Sequence, residues 1–136
     1  MDLGQAMIAA GIGCKRGAPA SDIEAAIRAA LARAQMDAGA LDVVATIDAK
    51  NGEPGICATA EKFGVSVVVV PELELAAASD RVETHSERVS ALVGVGSVAE
   101  AAALAAAGPG SKLIVPRLIV GAATCALAAS PPESAP

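Results

Sequence analysis

The residues best suited to chemistry lie in one short stretch, Gly11 to Gly17, which reads GIGCKRG. Glycines admit positive φ and close approach to a ligand, free amides in such a turn can nest an anion, and Lys15 and Arg16 add two cations beside Gly13 and Cys14. An arginine also grips a carboxylate through two parallel N–H donors. The plain alternative is a glycine turn carrying two solvated charges. A dinucleotide loop fits badly, because the glycine spacing is GxGxxxG, the helix starts as late as Ser21, and no acidic residue ends the second strand at the expected distance of roughly 20 residues. Cys14 stands beside two cations, a setting that favours thiolate. Yet His85 is the one imidazole that could activate it, and nothing in the sequence brings His85 near.

Two further clusters carry similar potential. The turn AKNGEPG holds Lys50, Asn51 and Glu53, where a lysine and a carboxylate could bind a substrate or move a proton; it also reads as an ordinary polar turn. In VGVGSVAEAAAL, Gly94, Gly96 and Ser97 precede a helix start, where free amides and the helix dipole favour an anion. Ser97 and Glu100 also have capping-box spacing, so Glu100 reads as a cap before it reads as a catalyst.

The elements that must position these residues follow from periodicity. A short apolar run predicts a first strand over Gln5 to Gly11. Ser21 and Glu24 form a capping box, and Ile23, Ile27 and Leu31 carry a helix towards Gly39. Val43 to Ile47 reads as a second strand, Ile56 to Phe63 as a helix stopped by Gly64, and Val65 to Val70 as a third strand closed by Pro71. Residues 72–88 are mixed and polar, and Val89 to Val95 fits a helix end or a strand. An alanine-rich helix runs from the second capping box to about Gly108, and strand material flanks Pro116 and Arg117, over Leu113 to Val115 and Leu118 to Leu127. Strands alternating with helices predict a three-layer α/β/α domain with a mostly parallel, or mixed, sheet. The expected domain spans residues 1–128, with 129–136 a disordered tail. Ligands of open α/β sheets sit outside the carboxyl ends of the strands, where the loops at 11–20, 48–54 and 71–80 would emerge together.

Composition narrows the classes. A chain of 136 residues is the size of one domain, and its net charge of -5 offers no broad cationic field for nucleic acid or an anionic membrane. No apolar run reaches the roughly 18 residues of a membrane span, and MDLGQAMIAAG lacks the basic start of a signal peptide, so the expectation is a cytoplasmic protein. Three dispersed cysteines and one histidine predict no disulfide framework and no metal site. Cys57 and Cys125 fall in apolar segments and are expected in the core. Phe63, the only aromatic residue, removes the usual stacking platform for flat ligands.

Taken in order, GIGCKRG, DAKNGEPGICATAEKFG at 48–64, VGVGSVAEAAALAAAG at 93–108 and AATCALA at 122–128 resemble the CobE/CbiG C-terminal-domain family of cobalamin biosynthesis. The resemblance covers about nine-tenths of the chain. It implies the three-layer fold and a tetrapyrrole ligand, a precorrin or corrin bound or handed over among corrin-pathway enzymes, with no separate cofactor. By the same resemblance the binding set is Gly13, Cys14, Lys15, Arg16, Lys50, Glu53, Gly96, Ser97, Glu100 and Thr124. CbiG-type members carry further N-terminal sequence and open the lactone of a cobalt-precorrin, releasing acetaldehyde; this chain is similar to the stand-alone form. Two alternatives stay open: a lactone hydrolase acting through Lys50, Glu53 or Cys14, and a phosphate or nucleotide module using the glycine loops.

Overall fold

The structure, a computed structural model, describes residues 7–14, 17–47, 54–71, 73–74, 98–108 and 110–130. The first strand, β1 (Ile8–Cys14), separates its two faces by residue size. Ile8, Ala10 and Ile12 enter one apolar cluster, while Ala9 and Gly11 face the opposite layer. Gly11 to Cys14 are therefore strand and not the free loop that their glycines suggest, so their backbone is committed to pairing. Cys14 is opposite Ala123, and Gly13 is opposite Thr124.

Helix α1 (Ala20–Arg33) follows, then a 3-10 turn (Ala38–Ala40) and β2 (Val43–Ile47). The expected capping box at Ser21 does not form. Pro19 occupies the N-cap without a side-chain bond, and Ser21 lies inside the helix. Proline there sets φ for helix entry and lacks the N–H that would otherwise be orphaned. Glu24 instead accepts from Arg28 Nε (2.8 Å) and Lys62 Nζ (2.9 Å), and these two bonds hold its carboxyl below the ordinary carboxylate range. The second of them ties α1 to α2 (Pro54–Phe63).

α1 also stops six residues before Gly39. Gln35 adopts φ 60°, the Met36 N–H reaches Leu31 O (2.8 Å), and the Gln35 N–H reaches Ala32 O (3.0 Å). That is the left-handed Schellman ending, and α2 repeats it with the expected residue. Gly64 has φ 72°, and the Val65 N–H bonds to Ala60 O (3.0 Å). A side chain in this conformation costs about 1–2 kcal/mol, partly offset by the entropy that glycine loses on folding. Gln35→Gly is therefore expected to raise stability by about 0.5–1 kcal/mol, read as a higher urea midpoint with an unchanged slope. A lower midpoint would show that the Gln35 side chain contributes more than its backbone strain costs.

β3 (Ser66–Val70), α3 (Val98–Ala107), β4 (Lys112–Val120) and β5 (Ala123–Ala129) complete the described elements. The sheet order is β3-β2-β1-β5-β4, with β1, β2 and β3 parallel and β5 antiparallel to both β1 and β4. It is a mixed sheet in a three-layer α/β fold. α1 and α2 pack on one face around Ile12, Ile23, Ile27, Val44 and Ile56; burying each such side chain stabilises by about 1.5–3 kcal/mol. α3 covers the other face against Ala9, Ala45, Val70 and Ala128. Ala129 and Ser130, expected in the tail, belong to the sheet instead: Ala129 ends β5, and Ser130 bonds to Met7 through both its backbone (3.0 Å) and its hydroxyl (2.7 Å), while residues 131–136 lie outside the described residues.

α3 presents mostly alanine, so it can approach the sheet closely. A Cβ on Gly11 would collide with the carbonyl of Ala99 and the amide of Ala103, and this close approach is why β1 carries glycine there. Among the described residues, every buried side-chain nitrogen and oxygen has a hydrogen-bond partner. No helix among them is long and apolar enough to cross a membrane.

Candidate functional site

The three parallel strands end on one side of the sheet, and the chain order reverses at β1, whose neighbours are β2 and the late strand β5. Such a switch point leaves a crevice beyond the strand ends. Here it is a cleft of about 330 Å³ on the α3 side. Its floor is Gly13 and Cys14 at the end of β1. One wall is Val98 and Ala99, in the first turn of α3. The opposite wall is Arg117 and Ile119 of β4, with the Gly121–Ala122 turn and Ala123 and Thr124 of β5.

Several bonds fix this geometry. Thr124 Oγ1 donates to Gly13 O (3.2 Å), and a Cβ on Gly13 would come within 2.7 Å of that oxygen. Gly13 thus makes room for the hydroxyl that ties the floor to the β5 wall. Asp22 of α1 accepts the Ala122 N–H (3.0 Å) and holds the hairpin turn at the cleft mouth. Glu100, wholly buried, accepts the Arg117 N–H with Oε2 (2.8 Å).

The lining is amphipathic. Ile119 is 65% exposed, an unusual position for a large apolar side chain, and it lies two residues from Arg117. Among the described residues the ion pairs are those of Glu24 with Arg28 and Lys62, so Arg117 takes part in none. An arginine and an exposed isoleucine lining one opening suit an organic ligand with a carboxylate on an apolar body.

Of the residues expected from sequence, the fold brings Gly13, Cys14 and Thr124 together in this cleft. Glu100 stands behind its wall, buried, and not among the lining residues. Lys15, Arg16, Lys50, Glu53, Gly96 and Ser97 lie outside the described residues, as do Asn51, His85 and Gly94. Two of these pairs flank cleft residues in sequence: Lys15 and Arg16 follow Cys14, and Gly96 and Ser97 precede Val98. Arg117 and Ile119 were not expected in the site. The available signal was a charged residue after Pro116 in an apolar run, the mark of an edge strand that bulges.

The cysteines differ. Cys125 is fully buried and burial alone pushes its thiol up, so it is inert. Cys57 is exposed, contrary to the expectation of a core residue, because the helical period of α2 turns Ile56, Thr59 and Ala60 inward and leaves Cys57 outward. Among the described residues no group of His, Cys, Asp and Glu could hold a metal ion.

The chain is thus a small mixed-sheet, three-layer α/β domain with an amphipathic cleft beyond its first strand. Comparison gives its kin: the Cobalamin synthesis G C-terminus family matches residues 8–128, and the chain belongs to that family. It is 41% identical over 118 residues to Protein CobE of a Sinorhizobium species, covering 87% of this chain and 77% of that one. It is 33% identical over 98 residues to a cobalt-precorrin-5A hydrolase of Priestia megaterium, but this spans 26% of the hydrolase's length. The crystal structure of CobE, a protein from the cobalamin (vitamin B12) biosynthetic pathway, superposes with a TM-score of 0.86 at 32% identity over 98% of both chains. The cobalamin biosynthesis protein chiG of Agrobacterium tumefaciens superposes with a TM-score of 0.72 at 38% identity, over 91% of this chain and 98% of that one. The chain is a CobE/CbiG-like protein of cobalamin biosynthesis.

Proposed function

We propose that this chain is a cytoplasmic protein that binds a carboxylate-rich corrin-pathway intermediate by its edge and hands it on. The observation that carries the reading is Arg117 beside exposed Ile119 in the cleft beyond β1. Corrin precursors bear acetate and propionate arms around a flat ring, and one arm with the adjoining ring edge fits that pairing. Size supports edge-on binding. A cleft of about 330 Å³ lies at the small end of ligand sites, so a whole macrocycle would leave most of its face outside. Phe63, packed under Arg28 with the guanidinium 5.1 Å from the ring centre, is engaged away from the cleft and offers no stacking surface there.

The test is a titration of the purified protein with cobyrinic acid, followed by visible absorbance, beside the same corrin with every carboxyl methyl-esterified. A saturable spectral shift with the acid and none with the ester is expected. Equal response to both, or none to either, would overturn the reading. Binding of ATP without binding of the corrin acid would select the phosphate alternative.

A further inference from the structure

Glu100 was expected as a helix cap or a ligand contact, yet its carboxylate is wholly buried and spans from the first turn of α3 to the backbone of β4. The place where it lands is irregular. Pairing between β4 and β5 is regular from Leu118 to Val120 and again at Lys112 and Leu113, but the register shifts on both sides of Val115. Pro116 has no N–H to give, and the Arg117 N–H goes to Glu100 instead of to a strand partner. One carboxylate oxygen therefore does what the interrupted ladder cannot: it holds the backbone of Arg117, the cationic residue that lines the cleft. It also joins the two opposite walls, since Val98 and Ala99 immediately precede Glu100 on α3 while Arg117 and Ile119 line the β4 side.

We infer that Glu100 is a positioning residue for Arg117, setting the spacing between α3 and β4 and so the selectivity of the cleft for a carboxylate-bearing ligand. The inference rests on the proposed function for the identity of the ligand. It does not rest on it for the mechanical link, which can be read without any ligand.

The experiment uses Glu100→Gln, Glu100→Ala and Arg117→Met, with the double variant Glu100→Ala/Arg117→Met. Glu100→Gln keeps an oxygen that can accept the Arg117 N–H and should bind cobyrinic acid within about twofold of the parent. Glu100→Ala should weaken binding at least about fivefold and flatten its dependence on ionic strength to that of Arg117→Met. The double variant should bind no more weakly than Arg117→Met alone, because a guanidinium that is absent cannot be mispositioned. Hydrogen exchange read at the Arg117 amide supplies the ligand-free measurement. That amide should be protected in the parent and in Glu100→Gln, and fast in Glu100→Ala under conditions where the amides of β5 stay protected. If Glu100→Ala lowers the melting temperature but keeps the parent's salt slope, with additive losses in the double variant, Glu100 is a structural residue alone and the inference fails. If the parent binds no corrin acid, the functional reading fails while amide exchange still decides the link. Should Glu100→Ala not fold, Glu100→Met, which keeps the length of the side chain but not the acceptor, takes its place: a fast Arg117 amide with weakened binding upholds the link, and a protected amide with unchanged affinity overturns it.

Discussion

Arg117→Met should weaken the binding of cobyrinic acid by at least about tenfold while leaving the protein folded. A charge-assisted contact to a carboxylate contributes on the order of 1.5–3 kcal/mol, and no ion pair among the described residues is lost with the guanidinium. Methionine keeps much of the apolar stem, so stability should move by no more than about 0.5 kcal/mol. Affinity of the parent should fall as salt rises, since ligand and cleft carry opposite charge at a partly exposed site, and the variant should show a shallower slope. Titrations at two ionic strengths, beside a thermal melt, measure all three effects. An unchanged affinity with an unchanged slope would place the carboxylate elsewhere, with Lys15 and Arg16 the next residues to replace.

The second large effect is on the fold. Gly11→Ala should destabilise by about 1–3 kcal/mol or more, because its Cβ points at main-chain atoms of α3, which cannot rotate away as a side chain would. The helix must shift as a body, and with it the Val98–Ala99 wall of the cleft. A denaturant midpoint measures the cost, and the same sample should also bind the corrin acid less tightly. Full stability in Gly11→Ala would mean that α3 slides at little cost and that the close contact is not needed.

These two residues show where the sequence was readable and where it was not. β2, α2 and β3 follow from local signals: a β-branched run, a proline start with a glycine stop, and a run of valines. The mixed three-layer order was within the expected class. The glycines of GIGCKRG suggest a loop from the end of the first strand, because glycine has two physical uses, left-handed backbone and close approach. Only tertiary neighbours, α3 for Gly11 and Thr124 for Gly13, reveal that the second applies. α1 was misjudged at both ends for a related reason. Ser21 and Glu24 have the spacing of a capping box but Pro19 already starts the helix, and Gln35 takes the left-handed position that Gly39 advertised. In the site, the fold brings Gly13, Cys14 and Thr124 to one cleft. Arg117 and Ile119 escaped because their role depends on a bulge and on a carboxylate 17 positions away in sequence.

The place of β5 has a kinetic consequence. β1 leads the described elements, yet its inner neighbour comes last, with Gly13 and Thr124 bonded across 111 positions and Asp22 and Ala122 across 100. During synthesis β1, β2 and α1 emerge early, but one hydrogen-bonding edge of β1 waits for the final strand. Contacts of such long range slow the search, and an uncovered apolar edge is the surface that aggregates or recruits chaperones. The cleft shares that timing: its floor is laid near the start of the chain and its far wall near the end. A ribosome-bound intermediate lacking β5 therefore has no complete cleft, and the cleft is assembled in one step with completion of the sheet.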